Sequence, residues 1–321
     1  MPLKFHCTKT VFAECQQACL ATIWRTNFAI LIVIWQRPDG KLSSPRQGRT
    51  MGHMNLQDIA KKVLEVLGTG RQLDPFSKVY PDFGLKDAYS VTAAVRAERE
   101  ARGERPIGRK IGFTNRTIWA EYGVYAPIWG YVYDRTVSGL TSDPLEVSLS
   151  GLAEPRIEPE IMFGLAAPPE PGMDEHALIR CIDWLAHGFE IVQSIFPNWS
   201  FQAADTVAGY GLHGRLFIGP RHSAASRRNE WASELSRFEI DLFRNGAHVD
   251  HGAAANVLDG PLFALRHLAE TLAQDPESPP LAAGEIVTTG TLTRAFPVAA
   301  GEEWSTKVTG IPLEDARIRF V

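Results

Sequence analysis

Arg156-Ile157-Glu158-Pro159-Glu160-Ile161-Met162-Phe163 is the stretch from which the rest of this chain can be read. On an extended strand, side chains two apart share a face. Glu158 and Glu160 therefore project together, and Ile157 and Ile161 point the other way. The strand reads as Arg156 to Leu165 and ends in the Pro/Gly loop from Ala166 to Gly172. Two adjacent carboxylates repel, so they need a cation, a shared proton or full solvation. A hard divalent ion such as Mg²⁺ or Mn²⁺ is what oxygen ligands suit. A third carboxylate, Glu190, heads a second apolar run, Phe189-Glu190-Ile191-Val192, within a strand expected from Gly188 to Ile195. Between the two strands, Asp174 can cap a helix running to about Ala186, and that helix lets the acidic positions lie close. Three carboxylates leave about three octahedral positions open, enough for a 2-oxo acid to chelate through its keto and carboxylate oxygens. The same residues are also compatible with an exposed strand face that carries glutamates and no ion.

Upstream, Asn55 can cap a helix with Leu56, Ile59, Ala60, Val63, Leu64 and Leu67 on one face and Gly68 as its stop. A second helix is expected over Lys86 to Gly103. Pro106 then breaks the pattern, and Gly108-Arg109-Lys110-Ile111-Gly112 reads as a short strand between glycines. Asn115 to Tyr122 reads as a short helix and Gly130 to Asp134 as a strand. Downstream strands are expected at Arg215 to Ile218, Arg237 to Phe243, Glu285 to Thr289, Ser305 to Thr309 and Ala316 to Val321, with one helix from Gly260 to about Ala273. A helical N-terminal part followed by mostly strands, without regular βαβ alternation, predicts an α+β fold built on a mixed β-roll or sandwich. The segment Gly103 to Lys110 has a passing likeness to a phosphate-binding loop but lacks the Ser/Thr after the Lys, so no nucleotide site is expected.

The chain has 321 residues, 45% of them hydrophobic, which is ample for a sizeable core. Its formal net charge of -4 points to neither nucleic acid nor an anionic membrane as a partner. The apolar run from Phe28 to Trp35 is far shorter than the roughly 20 residues that span a bilayer. Gln36-Arg37-Pro38 after it offers no small-residue cleavage site. Of the 4 cysteines, Cys7, Cys15 and Cys19 crowd near the start and Cys181 stands alone, which argues against a disulfide framework and for a cytoplasmic protein. Residues 1–50 are basic and have no clean period, and Met51 and Met54 follow directly. The expected organisation is therefore an N-terminal extension over 1–50, disordered or not native, and a single catalytic domain over 51–321. Within that domain, 51–105 are expected to be helical and 106–321 to form the β-rich core.

Several segments, in order, carry a resemblance. GRKIGFT (Gly108 to Thr114), Gly123-Val124 with APIWG (Ala126 to Gly130), RIEPEIMF, FEIVQS and DTVA (Asp205 to Ala208) belong to the set. So do RNGAHVDHGAAANVLDGP (Arg244 to Pro261) and LAAGEIVTTGTLTRAFPVAAGE (Leu281 to Glu302). Together they resemble the hydratase/decarboxylase branch of the fumarylacetoacetate hydrolase superfamily, from about Met51 to Val321. The resemblance implies that family's fold and a Mg²⁺ or Mn²⁺ site made by Glu158, Glu160 and Glu190. It also implies that Lys110 is an active-site lysine, able to bind the substrate carboxylate or exchange protons, and that the turn Thr289-Gly290-Thr291-Leu292 lies close to a bound oxo acid. The implied activity is that of a lyase on a small 2-oxo acid or its 2-hydroxydienoate form. The first choice is a 2-oxopent-4-enoate-type hydratase of aromatic meta-cleavage catabolism, with a 4-oxalocrotonate-type decarboxylase as runner-up. A C–C bond hydrolase or a non-catalytic partner subunit stands further off, and a homo-oligomer is expected.

Two departures from the family pattern bear on chemistry. Hydratases of the branch carry Asp in a Pro-Asp-Phe-Gly segment, whereas this chain has Pro127-Ile128-Trp129-Gly130, and Ile128 cannot move protons. After Asp205-Thr206-Val207-Ala208 the family continues Asp-Asn-Ala-Ser-Ser. This chain continues Gly209-Tyr210-Gly211-Leu212-His213-Gly214, making Tyr210 and His213 candidate substrate-binding groups.

Overall fold

The acidic strand spans Arg156–Leu165, as expected, in a computed structural model, which describes residues 54–321. In chain order the strands begin with β1 (Pro106–Gly112), β2 (Ile128–Tyr133), β3 (Val137–Gly139), β4 (Leu145–Val147), β5 (Arg156–Leu165), β6 (Ile182–Val192) and β7 (His213–Ile218). They continue with β8 (His222–Ser223), β9 (Glu239–Arg244), β10 (Ala247–Ala253), β11 (Ile286–Thr288), β12 (Phe296–Pro297), β13 (Glu303–Thr309) and β14 (Arg317–Phe320). One sheet runs β2-β1-β11-β5-β6-β7-β3, with β12 also on β5 and β8 also on β6; the other runs β10-β9-β13-β14-β4. Pairing is mostly antiparallel, with parallel pairs β1–β11, β3–β7 and β14–β4. The fold is the expected α+β architecture, with helices in its N-terminal part.

β5 and β6 are apolar almost throughout because both their faces are covered. Ile157, Phe189 and Ile191 pack between the sheets against Leu242, Trp304, Ile318 and Phe320. Ile161 and Phe163 share a core with Leu262, Leu265, Leu268 and Leu272 of the helix Pro261–Ala273. A separate helical layer joins Leu56–Val66, Leu85–Ala101 and Ala203–Ala208 through Val63, Val91, Val95 and Val207. The predicted start signals work as capping groups: Asn55 Oδ1 accepts from Gln57 N at 3.0 Å, and Asn115 Oδ1 accepts from Thr117 N at 3.0 Å.

One expectation fails between β5 and β6. Asp174 does cap a helix, accepting from Ala177 N at 2.7 Å, but the helix ends at Leu178 instead of about Ala186. A 3-10 turn over Ile179–Cys181 follows, and β6 takes the next 11 residues. A buried strand and a buried helix share the same continuous apolar run, so periodicity does not separate them. β3, β4, β8, β10 and β12 and the helices Ala203–Ala208 and Arg228–Glu234 were not foreseen. Residues 1–50, Met51, and Cys7, Cys15 and Cys19 lie outside the described residues. No described helix is long and apolar enough to cross a membrane.

Candidate metal centre

The antiparallel register of β5 on β6 sets Glu158 directly opposite Glu190 and Glu160 opposite Gly188. One carboxylate oxygen from each of Glu158, Glu160 and Glu190 lies within 4.8 Å of the others. Gly188 is what lets the strands close here, since a Cβ on it would sit 2.1 Å from the Phe217 carbonyl oxygen on β7. Glu160 and Glu190 are fully buried and Glu158 is half-buried.

Neighbouring strands then fix the carboxylates. Glu160 Oε2 accepts from Gly290 N at 2.8 Å. Glu190 Oε1 accepts from His213 Nδ1 at 2.8 Å and lies 3.6 Å from Lys110 Nζ. Glu190 Oε2 accepts from Thr288 Oγ1 at 3.3 Å. The parallel pairing of β1 with β11 sets Lys110 beside Thr288, so both reach Glu190 from one side.

Three carboxylates face one ammonium in a desolvated place, and the titration of the groups reflects it. Burial, reinforced by Glu190, pushes Glu158 up to about 7 against the pull of Lys110. Burial with both neighbouring carboxylates pushes Glu160 well above the usual carboxylate range. Burial acts the same way on Glu190, but Lys110 and His213 outweigh it and hold Glu190 below that range. Burial would lower Lys110, yet Glu190, Glu158 and Glu160 outweigh it and keep it an ammonium. Glu160 Oε1 is buried with no hydrogen-bond partner among the described residues. Buried carboxylates that resist ionising without a cation beside them, and an orphaned carboxylate oxygen, fit a hard divalent cation.

A cavity opens from Lys110 and Glu158 and is walled by Phe113, Tyr122, Trp199 and Leu212. Trp199 reaches it through two consecutive left-handed residues, Asn198 at φ 59° and Trp199 at φ 52°. Glu154 holds that turn: its Oε1 accepts from Asn198 N at 2.9 Å and its backbone oxygen from Trp199 Nε1 at 3.0 Å. Arg156 sits against the same wall, donating to Tyr122 Oη at 2.6 Å with its guanidinium 4.2 Å from the Trp199 ring centre.

Of the residues singled out in the sequence, Lys110, Glu158, Gly290 and Thr291 line this cavity. The others serve elsewhere. Thr289 Oγ1 donates to the Ile161 carbonyl at 3.0 Å, and Leu292 is a core residue whose N–H bonds the Pro159 carbonyl at 3.0 Å; both pin the turn to β5. Tyr210 turns into the helical layer, where its hydroxyl donates to the Val63 carbonyl. His213 stands behind Glu190 and does not line the cavity. Sequence reasoning missed Thr288, Arg156 and the aromatic wall. The first two were within reach: Arg156 shares the face of Glu158 by the same alternation, and Thr288 lies two residues before Gly290. The wall is assembled from separate loops and has no local signal.

No family model matches the chain. The chain is 31% identical over 259 residues to 2-hydroxyhexa-2,4-dienoate hydratase of Comamonas testosteroni, covering 80% of this chain and 94% of that protein. It is 32% identical over 239 residues to 4-oxalocrotonate decarboxylase of Pseudomonas sp. (strain CF600), covering 74% and 87%. Among solved structures, 4-oxalocrotonate decarboxylase from Pseudomonas putida G7, complexed with magnesium and adipate, superposes with a TM-score of 0.74 at 29% identity. The match covers 83% of this chain and 97% of that one.

Proposed function

The chain belongs to the hydratase/decarboxylase branch of the fumarylacetoacetate hydrolase superfamily, and from that premise we propose that it is a divalent-metal-dependent lyase acting on a small 2-oxo acid. Its first-choice reaction is hydration of a 2-hydroxydienoate of the 2-oxopent-4-enoate type, as in aromatic meta-cleavage catabolism. The observation that carries the reading is the convergence of Glu158, Glu160 and Glu190 beside a buried Lys110 at the end of a cavity.

Glu158, Glu160 and Glu190 would hold the ion. A bound Mg²⁺ or Mn²⁺ supplies Lewis acidity that polarises a 2-oxo group and stabilises developing enolate charge. The protein's own residues do the rest. The Lys110 ammonium pairs with the substrate's carboxylate. Gly290 N–H keeps Glu160 aimed at the site, and its φ of 98° brings the backbone close in. Phe113, Tyr122, Trp199 and Leu212 pack on the unsaturated carbon chain and hold it in place.

Two observations favour decarboxylation of a 4-oxalocrotonate-type diacid as a second reading. Ile128 Cγ1 and Lys110 Nζ each lie 3.3 Å from the point where Gly112 would carry a Cβ. A hydrocarbon therefore stands in the neighbourhood of the ammonium, where hydratases of the branch carry Asp, and loss of CO₂ needs no protein acid there. Arg156, against the cavity wall, offers a cation to a second carboxylate. The test supplies 2-hydroxypenta-2,4-dienoate and 2-hydroxymuconate separately with Mg²⁺, following dienol absorbance and CO₂. A 4-hydroxy-2-oxo acid accumulating without CO₂ supports hydration, CO₂ release without that product supports decarboxylation, and no turnover of either rejects the lyase.

The enzyme works as a homo-oligomer in the cytoplasm. Light scattering on the purified protein checks the first, and the buried free thiol of Cys181 accords with the second.

A further inference from the structure

The segment in which this chain departs from its family ends on His213, and that side chain makes contacts an ordinary core histidine does not need. Its imidazole is buried, at 3% residue exposure, and both ring nitrogens are engaged. Nδ1 lies 2.8 Å from Glu190 Oε1, and Nε2 lies 2.8 Å from Thr136 Oγ1. An ionised carboxylate only accepts, so Nδ1 carries the hydrogen of the first bond. Thr136 is itself tied down, donating to the Tyr133 carbonyl at 2.9 Å, so the ring is braced at the end away from Glu190.

The backbone delivering His213 is unusual. Tyr210, Gly211 and Leu212 take φ of 65°, 61° and 64°, three left-handed residues in a row, two of them with side chains. Such residues cost on the order of 1–2 kcal/mol each and persist only where surrounding contacts over-determine them. Here those contacts are the Tyr210 hydroxyl on Val63, Leu212 against the cavity, and His213 on Glu190. A Cβ on Gly211 would stand 3.2 Å from Lys110 Cδ, so the same turn also presses on the lysine stem.

We propose that His213 is a positioning residue for the metal centre: braced by Thr136, its Nδ1–H pins Oε1 of Glu190 and so fixes the orientation in which Glu190 meets a divalent cation. Glu190 comes from a different strand than Glu158 and Glu160, and its other oxygen receives a long hydrogen bond from Thr288. Without the pin, the carboxylate is free to rotate about its last torsion. A ligand held in advance binds more tightly than one that must be ordered on binding, and outer hydrogen bonds of this kind contribute about 10–100-fold in metal affinity.

The inference rests on the metal-centre reading above. Its test is a Mn²⁺ titration of the full-length protein without substrate, by calorimetry or electron paramagnetic resonance, beside the thermal midpoint of the metal-free protein. His213→Leu should weaken Mn²⁺ about 10–100-fold. His213→Asn, whose amide N–H can take the place of Nδ1–H, should stay within about threefold of wild type on the same scale. Thr136→Val, which removes the brace and keeps the ring, should fall between them. Should the leucine protein fail to fold, the asparagine and valine proteins carry the test in the same order. The role is overturned if His213→Leu folds and binds Mn²⁺ like wild type. It is overturned equally if His213→Asn loses as much affinity as His213→Leu, because volume and not the hydrogen bond then matters. Wild type that binds no Mn²⁺ overturns the metal centre itself, a different result from unaffected variants of a wild type that does bind.

Discussion

Glu160 brings a buried carboxylate into contact with two others and leaves its Oε1 without a hydrogen bond among the described residues. That residue has a cost in the metal-free protein and a use in the loaded one. Glu160→Gln removes the buried charge and keeps the volume. It should abolish Mn²⁺ binding in a titration and lower turnover at least about 100-fold, while circular dichroism stays native and the metal-free midpoint stays equal or rises; near-wild-type turnover would remove Glu160 from the ligand set. Gly290 is the complementary case. It has φ 98°, and a Cβ would lie 1.9 Å from Thr114 Oγ1. Gly290→Ala should therefore destabilise the protein by about 1–3 kcal/mol in urea unfolding and weaken Mn²⁺ by displacing the N–H that holds Glu160. Unchanged Mn²⁺ affinity in that variant would show that the N–H does not orient the ligand. Lys110, Glu158, Glu160 and Glu190, singled out from local chemistry, are brought together by the structure. Tyr210 and His213 point away from the cavity, because their directions depend on left-handed backbone that no side chain there announces.

At the scale of elements, the site is a property of strand pairing. β5 was legible end to end because polar and apolar residues alternate where its acidic face meets the cavity. β6 was legible only in its second half, since Ile182 to Phe189 could pack as helix or strand. The short edge pieces β3, β4 and β8 carry too few residues for a period, and β10, Ala247–Ala253, is partly polar with a glycine. The pairing itself can be challenged at Gly188, opposite Glu160 and pressed on the Phe217 carbonyl. Gly188→Val must spread β6 from β7, at a cost of about 1–3 kcal/mol or more, and should take Mn²⁺ binding with it. A variant that folds and still binds Mn²⁺ at wild-type affinity would show that close strand approach is not what assembles the centre.

For the whole molecule, a cation that binds the native state and not the unfolded chain stabilises it by mass action. At Mn²⁺ concentrations near 100 times its dissociation constant the gain is about 2.7 kcal/mol, so the thermal midpoint should rise on adding Mn²⁺ and return with EDTA. A midpoint indifferent to both would count against a native metal site. We also propose that residues 51–321 carry the activity unaided: a chain lacking residues 1–50 should match the full chain in Mn²⁺ affinity and turnover, and an insoluble or inactive product would show that the extension belongs to the enzyme.

From the order of residues alone came the α+β class, the acidic strand, and the three glutamates and lysine that the structure brings together, because these rest on local alternation and on motifs contiguous in the chain. What the tertiary structure alone decided is that Glu190 stands across from Glu158, that His213 backs Glu190 and does not line the cavity, and that an aromatic wall, with Arg156 packed against it, bounds the cavity. Each of those depends on strand register or on loops meeting across the fold. Register and loop packing follow from how the whole core closes, which no short window of sequence contains.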